Sequence, residues 1–395
     1  MGKKPFKLRH MISNGPRPLW EWLPETTIAA PLRRASHKKT LNTHLAPTYA
    51  FGMLKHLRWS IIFGATLVFL AASSPAADWK TYQQTFVSSD GRVVDFFQHS
   101  ISHSEGQGYG LLLSLMNGDR PAFERIFRWT TENLQVRRDA LFAWSWGKRP
   151  NGGWNVIDYN NASDGDILIA FALLKAADRW GHPPFREAAL RIVRDIRAYL
   201  AVTAGDFQLI APAYFGFNDQ AGNTFNTGYL MLPAFAEFAK ADDEVFWQRT
   251  LRDSERLLEK AAFSRLKLPA DWVTLENGQV TITAARSPVF GYEAIRAPLY
   301  LSWHGESGKL SAFADYLEFV ARAGYLPIRV NLVDESVSVE EAPAGFYAVM
   351  GLCAQRLGRD ALAQKLFQDA GSKITREPMD YYSNTLFLLA TGKMD

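Results

Sequence analysis

From residue 78 onward, apolar residues recur at helical three-and-four spacing, and the helical stretches come in pairs. The spacing predicts helices over 78–87, 105–117, 120–135, 164–180, 184–202, 226–240, 243–260, 293–304, 308–324, 344–357, 359–374 and 380–391. Many pairs are split by a break of only a few residues, such as Gly118-Asp119, Gly181-His182-Pro183 or Gly358, and longer aromatic-rich loops then lead to the next pair. Strand-like pieces are few and short, at 91–95, 207–212, 271–275, 279–284 and 328–333, with Asn277-Gly278 as a hairpin turn. Twelve helices in pairs, without a close sequence repeat, fit an all-α toroid in which inner helices ring an axis and outer helices pack around them.

In such a toroid every inner helix begins on the same face. The residues at those expected starts are Glu105, Asp164, Asn226, Glu293, Gly345 and Tyr382. Three of the six are carboxylates drawn from distant parts of the chain, which makes that face the candidate site. Glu105 stands in His-Ser-Glu-Gly-Gln-Gly-Tyr-Gly, residues 103–110, where each glycine costs an exposed helix about 1 kcal/mol relative to alanine. Their presence implies close approach by another backbone or by a ligand lying over Glu105. The loop 144–161 carries Trp144, Trp146 and Trp154 among glycines and amides, a composition suited to stacking on sugar rings while hydrogen-bonding their hydroxyls. Asp166 is expected only to complement the helix dipole, with Ser163 or Asp164 as the cap. His99 and His103 have zinc-pair spacing but lack a His-Glu-x-x-His pattern. They are expected to be structural residues in a solvated turn.

Charge excludes one broad class. Residues 1–77 hold eleven of the 44 Lys and Arg but only two of the 40 Asp and Glu, leaving 33 basic and 38 acidic residues from 78 onward. A body of net charge −5 has no basic excess for nucleic acid. Residues 53–77 run from a basic start through Ile61–Ala72 to Ser-Pro-Ala-Ala, the anatomy of a signal peptide. The apolar run is shorter than the roughly 20 residues of a membrane span, so no stable insertion is expected after cleavage. Residues 1–52 are expected to be a non-native or disordered leader, with translation starting at Met53, and 78–395 a single domain that is periplasmic or secreted. Cys353 is the sole cysteine, so packing rather than a disulfide must hold the body.

Three segments carry a resemblance. Ala162-Ser-Asp-Gly-Asp-Ile-Leu-Ile-Ala-Phe-Ala-Leu-Leu-Lys-Ala-Ala-Asp-Arg-Trp180, Ser104-Glu-Gly-Gln-Gly-Tyr109 and Gly291-Tyr-Glu-Ala-Ile-Arg296 resemble, in order, the signature segments of glycoside hydrolase family eight. The likeness spans about 78–390 and lies nearest the family's exported cellulases that accompany bacterial cellulose synthase. It implies an (α/α)6 barrel and an inverting endo-β-1,4-glucanase. By position it implies Glu105 as general acid, Asp164 as the residue holding the sugar on the non-reducing side, and Glu293 as the base. Tyr292 and Arg296 would flank the attacking water, while Trp144, Trp154, Tyr109, Tyr214 and Asn226 would meet the glucan. The cellulases of the family carry aspartate where this chain has Glu293, a shift of the carboxylate by about 1 Å.

The resemblance further implies a β-1,4-glucan as partner, with the cellulose synthase complex a candidate second one. No cofactor or metal is expected, and the chain is expected to be a monomer. An acidic to neutral optimum follows if burial and the Asp164 charge outweigh the helix dipole at Glu105. Alternatives are a chitosanase or xylanase of the same family and a glucan-binding subunit with a silent centre. A polysaccharide lyase and a metal-dependent glycosyltransferase fit less well, since the motif 164–166 opens a helix and the net charge is acidic.

Overall fold

The computed structural model describes residues 78–219, 222–283, 286–305 and 307–393. The leader and the signal peptide expected over 1–77 lie outside these residues. Helices appear in the paired order anticipated: α1 (Trp79–Phe86), α2 (Ser104–Met116), α3 (Arg120–Leu134), α4 (Ser163–Trp180), α5 (Pro183–Leu200), α6 (Leu232–Ala241) and α7 (Glu244–Lys260). There follow α8 (Arg296–His304), α9 (Ser307–Leu310), α10 (Ala314–Ala323), α11 (Ala344–Arg356), α12 (Asp360–Ile374) and α13 (Tyr381–Thr391). Helices α2, α4, α6, α8, α11 and α13 contact one another in that order, and α13 returns to α2, closing an inner ring. Outer helices flank it, α3 on α2, α5 on α4, α7 on α6, α12 on α11 and α1 on α13.

Composition separates the two rings. Along α2 every residue from Gly106 to Leu115 is buried, and α4 is buried without interruption from Ser163 to Leu174. A helix apolar on all sides must be covered on all sides, and the inner position satisfies that. Outer α5 buries only the stripe Phe185, Ala188, Ala189, Ile192, Val193, Ile196 and Leu200. Left-handed glycines make the tight inner-to-outer turns, Gly118 (φ 67°) after α2 and Gly181 (φ 58°) capping α4. Aspartates cap outer helices, Asp119 accepting from Ala122 N–H and Asp243 from Phe246 N–H.

Two inner helices begin later than the periodicity indicates. Asn226 ends the strand Gly222–Asn226, a 3-10 turn covers Thr227–Tyr229, and α6 starts only at Leu232. Pro233 is the cause, because its ring would clash with the helical carbonyl four residues back and it lacks an N–H. Pro298 similarly confines α8 to Arg296 onward, which leaves Glu293 on the preceding turn. The expected helix 308–324 is broken into α9, a 3-10 turn and α10. The strand expected at 91–95 reduces to isolated bridges, Val87 with Val93 and Asp95 with Ile101.

The strands lie in the loops, as anticipated, although several were not legible. Ser102–His103, Ser145–Lys148 and Trp154–Asp158 form an antiparallel sheet that ties the tryptophan loop to the start of α2. Trp272–Glu276 lies between Gln279–Ile282 and Gly222–Asn226. Asn277 (φ 49°) and Gly278 (φ 76°) make the hairpin turn.

Candidate active site

Glu105, Asp164 and Glu293 converge on one buried cation. Arg296, the first residue of α8, is 2% exposed. Its Nη1 donates to Glu105 Oε1 and, at 3.2 Å, to Asp164 Oδ2, while Nη2 donates to Glu293 Oε2. The Tyr229 ring lies 5.2 Å from the guanidinium carbon. Arginine suits this place because its planar fork offers several fixed donors and it stays charged.

The approach of these carboxylates is set by glycines on facing elements. A Cβ on Gly108 would lie 2.6 Å from Leu168 Cβ, and one on Gly165 would meet Ser104 and come within 2.7 Å of the Glu105 backbone nitrogen. These two glycines let α2 and α4 close on each other at their N-terminal ends, which brings Glu105 beside Asp164. A Cβ on Gly228 would run into the Glu293 carbonyl and lie 2.8 Å from Arg296 Nε. Gly106 faces the Tyr381 hydroxyl and Gly110 faces Val93. The glycines around Glu105 therefore serve helix packing; they are not clearance for a glucan chain.

Backbone bonds fix the helix starts. Ser104 N–H donates to Trp144 O at 3.0 Å, and Ser163 N–H to Pro212 O at 2.8 Å. The cap of α2 is His103, whose Nδ1 accepts from Gly106 N–H at 3.0 Å. His103 is thus buried, not part of a solvated turn. The cap position of α4 is Ala162, without a side-chain cap bond, rather than Ser163 or Asp164. Asp166 points inward, accepting from Phe142 N–H (2.9 Å) and Asn161 Nδ2 (2.8 Å), and so pins the aromatic loop to α4. Burial pushes its carboxyl up to about 7 against those donors.

Burial, reinforced by the charges of Glu105 and Glu293, holds Asp164 well above the usual carboxylate range, with Arg296 and the Gly165 N–H opposing. Glu293 is also raised, first by burial and then by Glu105, against Arg296 and the Asn226 amide. Its side chain is still 30% exposed, the most accessible of the three; Glu105 is 18% and Asp164 5% exposed. One guanidinium cannot neutralise three carboxylates, so the cluster favours protonated acids alongside ionised ones.

The other expected site residues divide into buried supports and exposed faces. Tyr109 is fully buried, and its hydroxyl donates to Glu105 Oε1 (3.3 Å) and pairs with Tyr300 Oη (3.3 Å), so it supports Glu105 instead of facing a sugar. Asn226 is 1% exposed, and its Oδ1 accepts from Gly228 N–H. Tyr292 is 40% exposed, set against Phe346 and Tyr382. Trp154 is 46% exposed and stacked on Trp146 at 5.3 Å, with the Arg92 guanidinium over both rings. Tyr214 is 47% exposed, and Trp144 is partly buried beside the α2 start.

Asp271, Tyr229 and Tyr300 were not singled out from sequence. Asp271 Oδ1 accepts from Gly291 N–H and Ala294 N–H, both at 2.9 Å, and anchors the turn that carries Glu293. A lone aspartate opening the apolar run Trp272-Val-Thr-Leu was the available signal. The opposite end of the ring holds a cavity of about 840 Å³ lined by Lys175, Glu237, Trp303, Arg356 and Lys393, with none of the expected site residues.

A ring of paired helices with carboxylates gathered at one set of inner-helix ends is the architecture of an (α/α)6 glycoside hydrolase. The family model for glycosyl hydrolases family 8 matches residues 54–394, and the chain belongs to that family. It is 32% identical over 325 residues to a probable endoglucanase of Novacetimonas hansenii, covering 81% of this chain and 90% of that protein. The solved endo-β-1,4-glucanase CMCax from Acetobacter xylinum matches with a TM-score of 0.70 and 31% identity, covering 80% of this chain and 97% of that one. Endoglucanase Cel10 from Klebsiella pneumoniae matches with a TM-score of 0.69 and 30% identity, covering 79% and 96%.

Proposed function

We propose that this chain is an endo-β-1,4-glucanase that cuts cellulose-like chains with inversion, and that residues 78–395 form its single catalytic domain. The observation carrying this is the cluster itself: three carboxylates of graded exposure held by the buried Arg296 at the inner-helix ends, with exposed Trp154, Tyr214 and Tyr292 on the segments that lead into inner helices. The endoglucanases it matches supply the substrate class. In this reading Glu105 gives its proton to the leaving glycosidic oxygen. Glu293 takes a proton from the water that attacks the anomeric carbon from the opposite face. Asp164 holds hydroxyls of the sugar on the non-reducing side, and Arg296 keeps the carboxylates oriented. Tyr292, on the Glu293 turn, and Arg296, opening the helix that follows it, would flank that water. Export rests on the signal-like pattern of 53–77, and a role accompanying cellulose synthesis rests on kinship with exported cellulases.

The test follows the anomeric protons by NMR as the full chain acts on cellopentaose. First appearance of the α-anomer is expected. A first product in the β-form would remove inversion. Shifted sugar signals without turnover would instead support a glucan-binding subunit.

A further inference from the structure

Next to Glu105 Oε2, the oxygen that Arg296 does not bond, one imidazole lies between two carboxylates. His103 is 8% exposed. Its Nε2 is 3.6 Å from Asp95 Oδ2, and its Nδ1 is 3.7 Å from Glu105 Oε2. Asp95 is itself buried and fixed: Oδ1 accepts from Phe97 N–H (3.0 Å) and Gln98 N–H (3.2 Å), and Oδ2 from Gln98 Nε2 (3.0 Å). The Tyr381 ring of α13 stands edge-on to the imidazole at 5.7 Å, with Tyr82 of α1 behind it. These contacts leave the ring little freedom to turn.

The Nδ1 atom has two possible partners that demand opposite protonation. To accept from Gly106 N–H it must be bare, so the neutral ring carries its proton on Nε2 toward Asp95. To pair with the Glu105 carboxylate it must carry a proton, and it then gives up the Gly106 bond. We propose that His103, backed by Asp95, is a positioning residue that shares one proton with Glu105 and so sets the pH range over which Glu105 can act as an acid. The inference rests on the acid assignment for Glu105.

In one arrangement the proton sits on Glu105 and neutral His103 caps α2. In the other it sits on Nδ1, and Glu105 is an ion-paired carboxylate with nothing to donate. Burial alone would lower the affinity of His103 for a proton. Asp95 and Glu105 more than offset this, with Arg296 opposing, and the ring is raised above its usual range. One proton is therefore kept between the two side chains to a higher pH than an unpaired imidazole would keep it. Wild-type activity should extend further on the alkaline side at some expense of its maximum.

His103→Asn separates this role from capping, because Asn is among the best N-cap residues and its Oδ1 can accept the Gly106 N–H. The measurements are the pH profile of kcat/KM for the full chain and its His103→Asn variant, the activity of Glu105→Gln, and the NMR titration of the His103 ring. The expected result is a variant whose alkaline limb moves down by about one pH unit with an undiminished rate at the acidic end. The His103 titration should also shift down in Glu105→Gln and in Asp95→Asn. A His103→Asn profile scaled uniformly, or a His103 titration indifferent to Glu105→Gln, would overturn the proposal while leaving the acid assignment standing. An active Glu105→Gln would overturn both.

Discussion

Arg296→Met is the most informative single change, because it removes charge while keeping length and helix propensity. Arg296 is the cation donating to Glu105, Asp164 and Glu293, and Asp164 is almost wholly buried. Removing one partner of a buried ion pair costs about 3–5 kcal/mol, since the remaining charge is left without compensation. For a body of this size each kcal/mol moves Tm by about 2 °C, so a loss of about 6–10 °C is expected near pH 7–8. The sign with pH follows from the direction of the shifts. Asp164 and Glu293 are already raised in the folded protein, so their contribution is fully present below about pH 4 and declines as pH rises through their folded values. Without Arg296 those values rise further, and the penalty at neutral pH deepens. The Tm difference between wild type and variant should therefore be small at pH 4 and widen toward pH 8. Scanning calorimetry at constant ionic strength and one scan rate reads this directly. A difference that stays flat from pH 4 to 8 would refute the electrostatic argument and assign the cost to packing against Tyr229 and the start of α8.

Other changes test separate parts of the site. Gly165→Ala places a methyl against Ser104 and the Glu105 backbone, so about 1–3 kcal/mol of stability should go and kcat should fall with it; an unchanged kcat in chemical and thermal scans of a destabilised variant would detach the α2–α4 approach from catalysis. Glu293→Asp withdraws the carboxylate by about 1 Å from Arg296 Nη2, and kcat/KM on cellopentaose should drop by about tenfold or more. A faster variant would mean that the Glu293–Arg296 pair is not adjusted to glutamate. Trp154→Ala should raise KM by about two- to tenfold with kcat retained, the effect of losing one aromatic face; steady-state kinetics on longer oligosaccharides would show it. Among the described residues no group of three potential ligands could hold a metal ion, so activity should survive incubation with EDTA.

Helix order was readable because an inner helix must be apolar on all sides and an outer one on a single stripe, and both patterns are local. The place where helices begin was read less well at α6 and α8. There Pro233 and Pro298 outweigh the apolar periodicity that continues upstream to Asn226 and Glu293. The three carboxylates were legible from their positions at or just before the starts of inner helices and from the motifs around them. Their shared cation was expected only as a flanking group, since spacing along α8 does not reveal that Arg296 points across the ring to Glu105. Tyr109 was misplaced for a related reason: an aromatic four residues after a carboxylate can lie over a ligand or under it, and only the neighbouring Tyr300 decides.

The same limit explains the glycines and bears on the substitution at residue 293. Gly108 and Gly165 are complementary, each making room for the other's helix, and Gly228 does the same for the turn carrying Glu293. Read singly, each is only a flexible residue; read across the interface, they set how close the carboxylates come. That turn is held by Gly228 against the Glu293 carbonyl and by Asp271 at the N–H groups of Gly291 and Ala294. A backbone fixed on both sides cannot retreat to absorb an added methylene. The longer side chain of Glu293 must therefore be accommodated by its own rotamer and by Arg296 Nη2, which makes the pair, rather than the turn, the element adjusted to glutamate.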